Sequence, residues 1–280
     1  MGGPWPAPAK LNRFLHVLGR RTDGYHRLQT VFQFLDRCDW IAIEAVEDGA
    51  IRRPVGPAAI PAEQDLAVRA ARLLQQHSGV RHGATLRVDK RLPLGGGLGG
   101  GSSDAATVLV GLNRIWGTDL DHDELAALGL ELGADVPVFV RGLASWAEGV
   151  GEELTPLDLD RPWFVVLQPA VTVSTAAVFS DPQLTRDSRP ITISDFLAGR
   201  SGNDCEAVVR RRYPPVDEVL AWLSAYGPAR LTGTGGCVFL PLDSEAAANA
   251  VLAEAEPRWN GFVPRGLNRS PLLQRLAEEI

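Results

Sequence analysis

Cysteine is scarce in this chain. Cys38, Cys205 and Cys237 are odd in number, widely spaced and without a Cys-x-x-Cys pair. That pattern argues against a disulfide framework and against a structural zinc site. It fits a reducing, cytoplasmic setting. Positive charge is also short: 28 Lys and Arg against 34 Asp and Glu leave a formal net charge of -6. A broad nucleic-acid footprint needs a basic excess to neutralise phosphates, so no nucleic-acid partner is expected. A small anion can still be bound locally by backbone amides and one or two cations. Long hydrophobic runs are missing as well. Stretches such as 163–167 fall far short of the roughly 20 residues that span a bilayer, so no membrane partner is expected. The first six residues have neither the basic start nor the apolar core of a signal peptide. Pro6 stands where a myristoylation signal wants Ser or Thr.

What is present is the composition of a folded protein. Hydrophobic residues make up 45% and charged residues 22%, which is too apolar for disorder. A length of 280 residues suggests about two domains. There are no repeats and no charge blocks. Residues 13–36 read as strand, loop, strand, with turn residues and two arginines in the loop at 19–24. Alternation predicts further strands at 40–45 and 84–89. Helical spacing predicts a helix over 65–76. Another helix is expected from about Ser102 to Trp116, and Asp121 opens a third with Glu124 three residues on, a capping-box pattern. The polar, proline-containing stretch at 156–162 marks a boundary, giving domains at 1–156 and 157–280. Beyond it come a strand at 163–167 and a helix at 214–226. A strand, glycine-rich turn and strand follow at 230–242, then a helix at 244–256. Strands and helices alternate, but hairpin-like pairs recur, so an α+β fold is expected rather than a purely parallel sheet.

The densest signal is the run from Pro93 to Ser103, PLGGGLGGGSS, with six glycines between Gly95 and Gly101. Glycine at such density costs about 0.5–1 kcal/mol per position in regular structure. It makes sense where backbone N–H groups must turn toward an anion. A helix opening at Ser102 or Ser103 would add its free amides and the positive end of its dipole. A flexible linker would need neither a strand leading in nor an apolar helix leading out. Gly100-Gly101-Ser102 lacks the lysine of a Walker loop. The G-x-G-x-x-G match at 95–100 lacks an acid at the end of a second strand, so a Rossmann site is rejected.

These residues resemble the phosphate-binding motif of the GHMP kinase superfamily. Two further motifs of that superfamily stand in the expected order: Pro8-Ala9-Lys10-Leu11-Asn12, and Leu231 to Cys237 (LTGTGGC). Four segments, Gly24-Tyr25-His26, 30–36, 133–139 and 147–151, narrow the resemblance to a branch acting on a cytidine diphosphate derivative of methylerythritol. Together these resemblances cover nearly the whole chain. They imply a two-domain α+β fold, with a ribosomal-protein-S5-like N-terminal domain and a ferredoxin-like C-terminal domain. They imply ATP with Mg²⁺, a cytoplasmic monomer or weak homodimer, and phosphorylation of an alcohol in isoprenoid biosynthesis.

Read on its own, Asp135 is either a carboxylate projecting into a cleft from the bend at 133–137 or a helix N-cap ahead of Pro137. Lys10 alone reads as solvated surface, and Tyr25 and His26 as strand-start residues packing on the core. The resemblance implies that Asp135 is the base, paired with Lys10. It implies that Asn12 lies near the substrate's polyol or phosphates, and that Tyr25, His26 and Phe179 contact cytosine. Pro93, Leu94, Gly95, Gly96, Gly97, Leu98, Gly99, Gly100, Gly101, Ser102 and Ser103 would hold ATP phosphates. Lys90 would reach the nucleotide, and Thr234 would sit on a supporting loop. The residues Ser102, Ser103 and Asp104 also read as simple caps. Relatives carry Glu-Asn-Leu where Gln64-Asp65-Leu66 stands here, which puts Asp65 near adenine in place of asparagine. The short stretch between Gln76 and Ala84 implies a more open nucleotide pocket. Rival readings are a kinase of homoserine, mevalonate or a sugar, a non-catalytic nucleotide sensor, and a glycine-rich nucleic-acid binder.

Overall fold

The computed structural model describes residues 3–278. Strands β1 (Trp5–Arg20) and β2 (His26–Val46) form a long antiparallel hairpin. Its polar turn is tighter than the spacing suggested: β1 runs through Arg20, and the Arg21 N–H closes the turn on the Tyr25 carbonyl at 2.7 Å. The separate strand expected at 40–45 is the far end of β2, which bends and changes partners along its length. Next come β3 (Ile51–Val55), α1 (Leu66–Ser78), β4 (Gly83–Asp89), α2 (Gly100–Trp116), α3 (His122–Leu132) and α4 (Val136–Arg141). Strands β5 (Ser145–Glu148) and β6 (Glu153–Pro156) complete this run. Local chemistry sets several ends. Asp65 caps α1 by accepting the Ala67 N–H, and left-handed Gly79 stops that helix. Asp121 and Glu124 form the expected capping box on α3.

The second half contains β7 (Trp163–Gln168), α5 (Thr175–Phe179), α6 (Ile193–Leu197), α7 (Glu206–Arg212) and α8 (Pro214–Ser224). It ends with β8 (Arg230–Leu231), β9 (Val238–Leu242), α9 (Glu245–Ala253), β10 (Asn260–Phe262), β11 (Gly266–Leu267) and α10 (Pro271–Glu278). Two sheets result. A seven-stranded sheet has the order β3-β4-β2-β5-β6, with β1 and β11 also paired to β2. A four-stranded antiparallel sheet has the order β10-β7-β9-β8. The architecture is thus α+β in two lobes. The chain leaves the first sheet after Pro156, but it does not stay in the second. β11 pairs with Phe34 and Leu35 of β2, and Leu272 of α10 is buried in the first lobe's core. A division at 156 read from composition does not anticipate this returning tail.

Each lobe has its own core, and a third cluster joins them. Ala9, Leu11, Leu35, Leu92 and Leu98 pack there against Phe164, Val166, Cys237 and Phe239. Leu98, the one large residue inside the glycine run, is therefore an anchor between the lobes. All three cysteines are free and buried. Burial pushes the thiols of Cys38 and Cys205 up to about 12, so neither is a nucleophile at neutral pH. Among the described residues no helix is long and apolar enough to cross a membrane.

Candidate active site

The site grows out of β1. Strand alternation sends Ala9 and Leu11 into the inter-lobe core, and Lys10 and Asn12 to the opposite side. Irregularities in the β1–β2 register on both sides of these residues adjust that aim. Lys10 is only 2% exposed. Its Nζ meets Asp135 Oδ2 at 3.1 Å, donates to Asn12 Oδ1 at 2.5 Å and to the Gly97 carbonyl at 3.3 Å, and lies over the Phe32 ring. A buried ammonium is held this way only when its donors are met. Asn12 is fixed in turn, with Nδ2 donating to Thr30 Oγ1 at 2.9 Å and its backbone N–H to Thr232 Oγ1 at 3.0 Å. Asp135 stands at the N-cap position of α4, yet its side chain makes no capping bond. Of its two sequence readings, the structure selects the carboxylate projecting into the cleft. It is 34% exposed there, beside Lys10.

The glycine loop faces this pair. Gly95, Gly97 and Gly99 have φ of +68°, +77° and +72°, so the chain reverses its twist at every second residue. A Cβ on Gly97 would stand 2.4 Å from the Thr232 carbonyl oxygen. The loop thus packs against the second glycine-rich loop, 232–236, and the Cys237 N–H bonds the Gly96 carbonyl at 3.0 Å. Helix α2 starts at Gly100, two residues before the serines, with Gly99 as an N-cap that has no side chain to offer. In contrast, α1, α3, α5, α6 and α9 are each capped by an Asp, Ser or Thr side chain. The first amides of α2 are left for an anion. They open on a cleft of about 420 Å³ that Lys10, Asn12, Asp135, Ser102 and Thr234 also line.

A second cavity of about 380 Å³ adjoins it, sharing Leu28, Ala134, Val150, Thr175 and Phe179. Tyr25 and His26 line this one, with Tyr25 62% exposed. The His26 and Phe179 rings stack with centroids 5.1 Å apart. No flat ligand fits between those two; Tyr25 and Phe179 both line the cavity.

Residues 65–143 match the GHMP kinases N terminal domain family, and residues 186–260 the GHMP kinases C terminal family. Over 275 residues the chain is 60% identical to the 4-diphosphocytidyl-2-C-methyl-D-erythritol kinase of Alkalilimnicola ehrlichii, spanning 98% of this chain and 94% of that protein. The chain belongs to the 4-diphosphocytidyl-2-C-methyl-D-erythritol kinases. The kinase of that name from Nitrosococcus oceani is 56% identical, over 97% of each chain. A crystal structure of 4-(cytidine 5'-diphospho)-2C-methyl-D-erythritol kinase superposes with a TM-score of 0.77 at 33% identity, covering 93% of this chain and 98% of that one. A mevalonate kinase structure has a TM-score of 0.70 at 15% identity, covers 95% of this chain and 99% of its own, and shares the fold. As a GHMP kinase, the protein uses ATP.

Not every residue anticipated for this kinase site lines the cleft. Asp65 faces Arg53 at 3.2 Å while capping α1; Leu66, its neighbour, reaches the cleft instead. Ser103 is fully buried inside α2, and its Oγ has no hydrogen-bond partner among the described residues. Lys90 touches the cleft, but its Nζ is held by Asp39 at 2.7 Å and by Asp104 at 2.5 Å. Asp39, completely buried, also accepts the N–H groups of Arg91 and Leu92, which tethers the entrance of the glycine loop to β2. Desolvation pushes the Asp104 carboxyl up to about 8, and Asp39 adds to this while Lys90 opposes it. Sequence reading held Thr30 and Thr232 only inside longer motifs, with no role of their own, and missed Asp39 and Asn203, whose Nδ2 donates to the Leu231 and Gly233 carbonyls. A lone Asp, Thr or Asn carries no signal until folding gives it a partner. The buried polar class of these residues is visible only in three dimensions.

Proposed function

We propose that this kinase transfers the γ-phosphoryl group of ATP to the 2-hydroxyl of 4-diphosphocytidyl-2-C-methyl-D-erythritol, giving the 2-phosphate and ADP, in the non-mevalonate route to isoprenoid precursors. The observation that carries the reading is the Lys10–Asp135 pair, facing the uncapped start of α2 across one cleft. Asp135 accepts the proton as the substrate oxygen bonds to phosphorus and the bond to the ADP oxygen breaks. Lys10 and Asn12 hold Asp135 and the hydroxyl in line. The amides of the glycine loop and of Gly100 to Ser102 meet the phosphate charge. Tyr25, His26 and Phe179 take the cytosine, with the ring faces of Tyr25 and Phe179 on either side and His26 at its edge. Among the described residues no three His, Cys, Asp or Glu converge as a metal cage. Mg²⁺ would arrive on the nucleotide phosphates, Ser102 could add a hydroxyl oxygen to it, and the bare amides would meet the phosphate oxygens instead. When bound, Mg²⁺ supplies charge neutralisation between the phosphates. We assign the reaction to the cytoplasm and to a monomer or weak homodimer, with residues 1–156 carrying ATP and residues 157–280 closing the substrate side.

The test is ADP release by purified protein with Mg·ATP and this substrate, beside Asp135→Asn. Substrate-dependent turnover that drops about 10²–10⁴-fold in the variant, at unchanged ATP affinity, is the expected result. Turnover that survives removes Asp135 as the base. Folded, ATP-binding protein that turns over only a different alcohol overturns the substrate assignment.

A further inference from the structure

We infer that Arg186 is a positioning residue for base recognition, locking His26 in its neutral, Nδ1-protonated form while pinning the backbone that carries Phe179. The inference rests on the reading that the second cavity takes the cytosine.

A guanidinium has only donors. Arg186 Nε donates to His26 Nε2 at 3.1 Å, so Nε2 is the acceptor and the ring proton sits on Nδ1. A doubly protonated ring would set N–H against N–H and cation against cation. The same guanidinium donates through Nη2 to the carbonyls of Phe179 and Asp181, both at 2.8 Å, and through Nη1 to that of Leu184 at 3.1 Å. One side chain of the second half thereby fixes the start of β2, the end of α5 and the loop that follows. The stacked His26 and Phe179 rings are its product. Burial first, then the charges of Arg186 and Arg20, the charged groups acting on His26, hold its pKa below the ordinary value. Among the described residues Nδ1 has no partner, and His26 lines the cavity. The ring's free group is therefore an N–H donor, suited to an acceptor edge. Cytosine presents two such acceptors, its carbonyl oxygen and N3.

The test pairs Arg186→Gln with Arg186→Lys, because lysine keeps a cationic donor and glutamine can accept from Nε2–H. In Arg186→Gln the KM for the cytidine substrate should rise about tenfold or more, with kcat and the KM for ATP within about twofold. Arg186→Lys should recover part of the loss. Without the neighbouring cation, His26 protonates more readily. The fall of kcat/KM on acidification should then begin at higher pH in the glutamine variant than in wild type. Long-range ¹H–¹⁵N NMR of the wild-type protein should show the Nδ1–H tautomer at His26. An Nε2–H tautomer in the wild type overturns the inference without any variant, as does an unchanged substrate KM in Arg186→Gln. Wild-type protein that turns over ATP but has no affinity for cytidine diphosphate overturns the base-pocket reading itself, a result read before any substitution is made.

Discussion

One cation serves two buried carboxylates at the root of the glycine loop. Lys90 lies between Asp39 and Asp104, and one Asp104 oxygen is buried with no hydrogen-bond partner among the described residues. Burial alone would lower the Lys90 pKa, but Asp104 and Asp39 together outweigh that and raise it, so the lysine keeps its charge. Burial pushes the Asp104 carboxyl up to about 8 against the pull of Lys90, with Asp39 adding to the rise, which favours a proton there. The folded state therefore binds this proton more tightly than the unfolded state. Its contribution is fully present below the ordinary carboxyl range and is lost as pH rises through about 8. Asp104→Asn keeps an oxygen for Lys90 and removes the titration. Between about pH 5 and about pH 8 its stability in urea should decline less steeply than that of the wild type. Parallel slopes for the two proteins would show that Asp104 does not carry this proton.

The glycine loop is an element built by its neighbours as much as by its ligand. Two of its carbonyls accept from strangers in sequence: Leu98 from the Lys10 N–H and Gly96 from the Cys237 N–H, each at 3.0 Å. Gly97→Ala combines a left-handed φ with a methyl 2.4 Å from the Thr232 carbonyl, so the two loops must part. At roughly 1–3 kcal/mol of strain, kcat/KM for ATP should fall about tenfold or more. Gly117→Ala is the control, because Gly117 is also left-handed but has nothing within 4 Å of an added Cβ. It should lose some stability and keep its kinetics. Equal kinetic losses in both variants would mean that backbone strain alone, not loop packing, sets the phosphate site.

At the scale of the molecule, the returning tail at 266–278 decides whether the first lobe is complete. β11 pairs with β2, and Leu272 is fully buried against the first lobe's core. Leu272→Ala should remove about 2–5 kcal/mol and lower Tm by roughly 5–15 °C, although the residue lies far along the chain from the lobe it supports. Circular dichroism melting checks this, and a Tm within about a degree of wild type would show the tail to be an appendage.

Local chemistry was legible wherever it repeats along the chain. Asp121 with Glu124 gives a capped helix, the alternation at 84–89 gives a strand, and the glycine run gives a left-handed loop at 95–99 that leads into a helix. Those signals depend on neighbours within four residues, so they survive in a linear reading. The same reading broke β2 in two, because a strand that keeps β1 on one edge while the other edge passes from β5 to β11 to β4 carries no mark of continuity. It left Asp135 open between cap and cleft, and Lys10 read alone as surface, because each is defined by the other across 125 residues of chain. It gave no hint of Asp39, Arg186 or the returning tail. Burial and partnership are properties of the packed molecule, and a charged side chain takes its role only when folding removes its water and brings up the one group that replaces it.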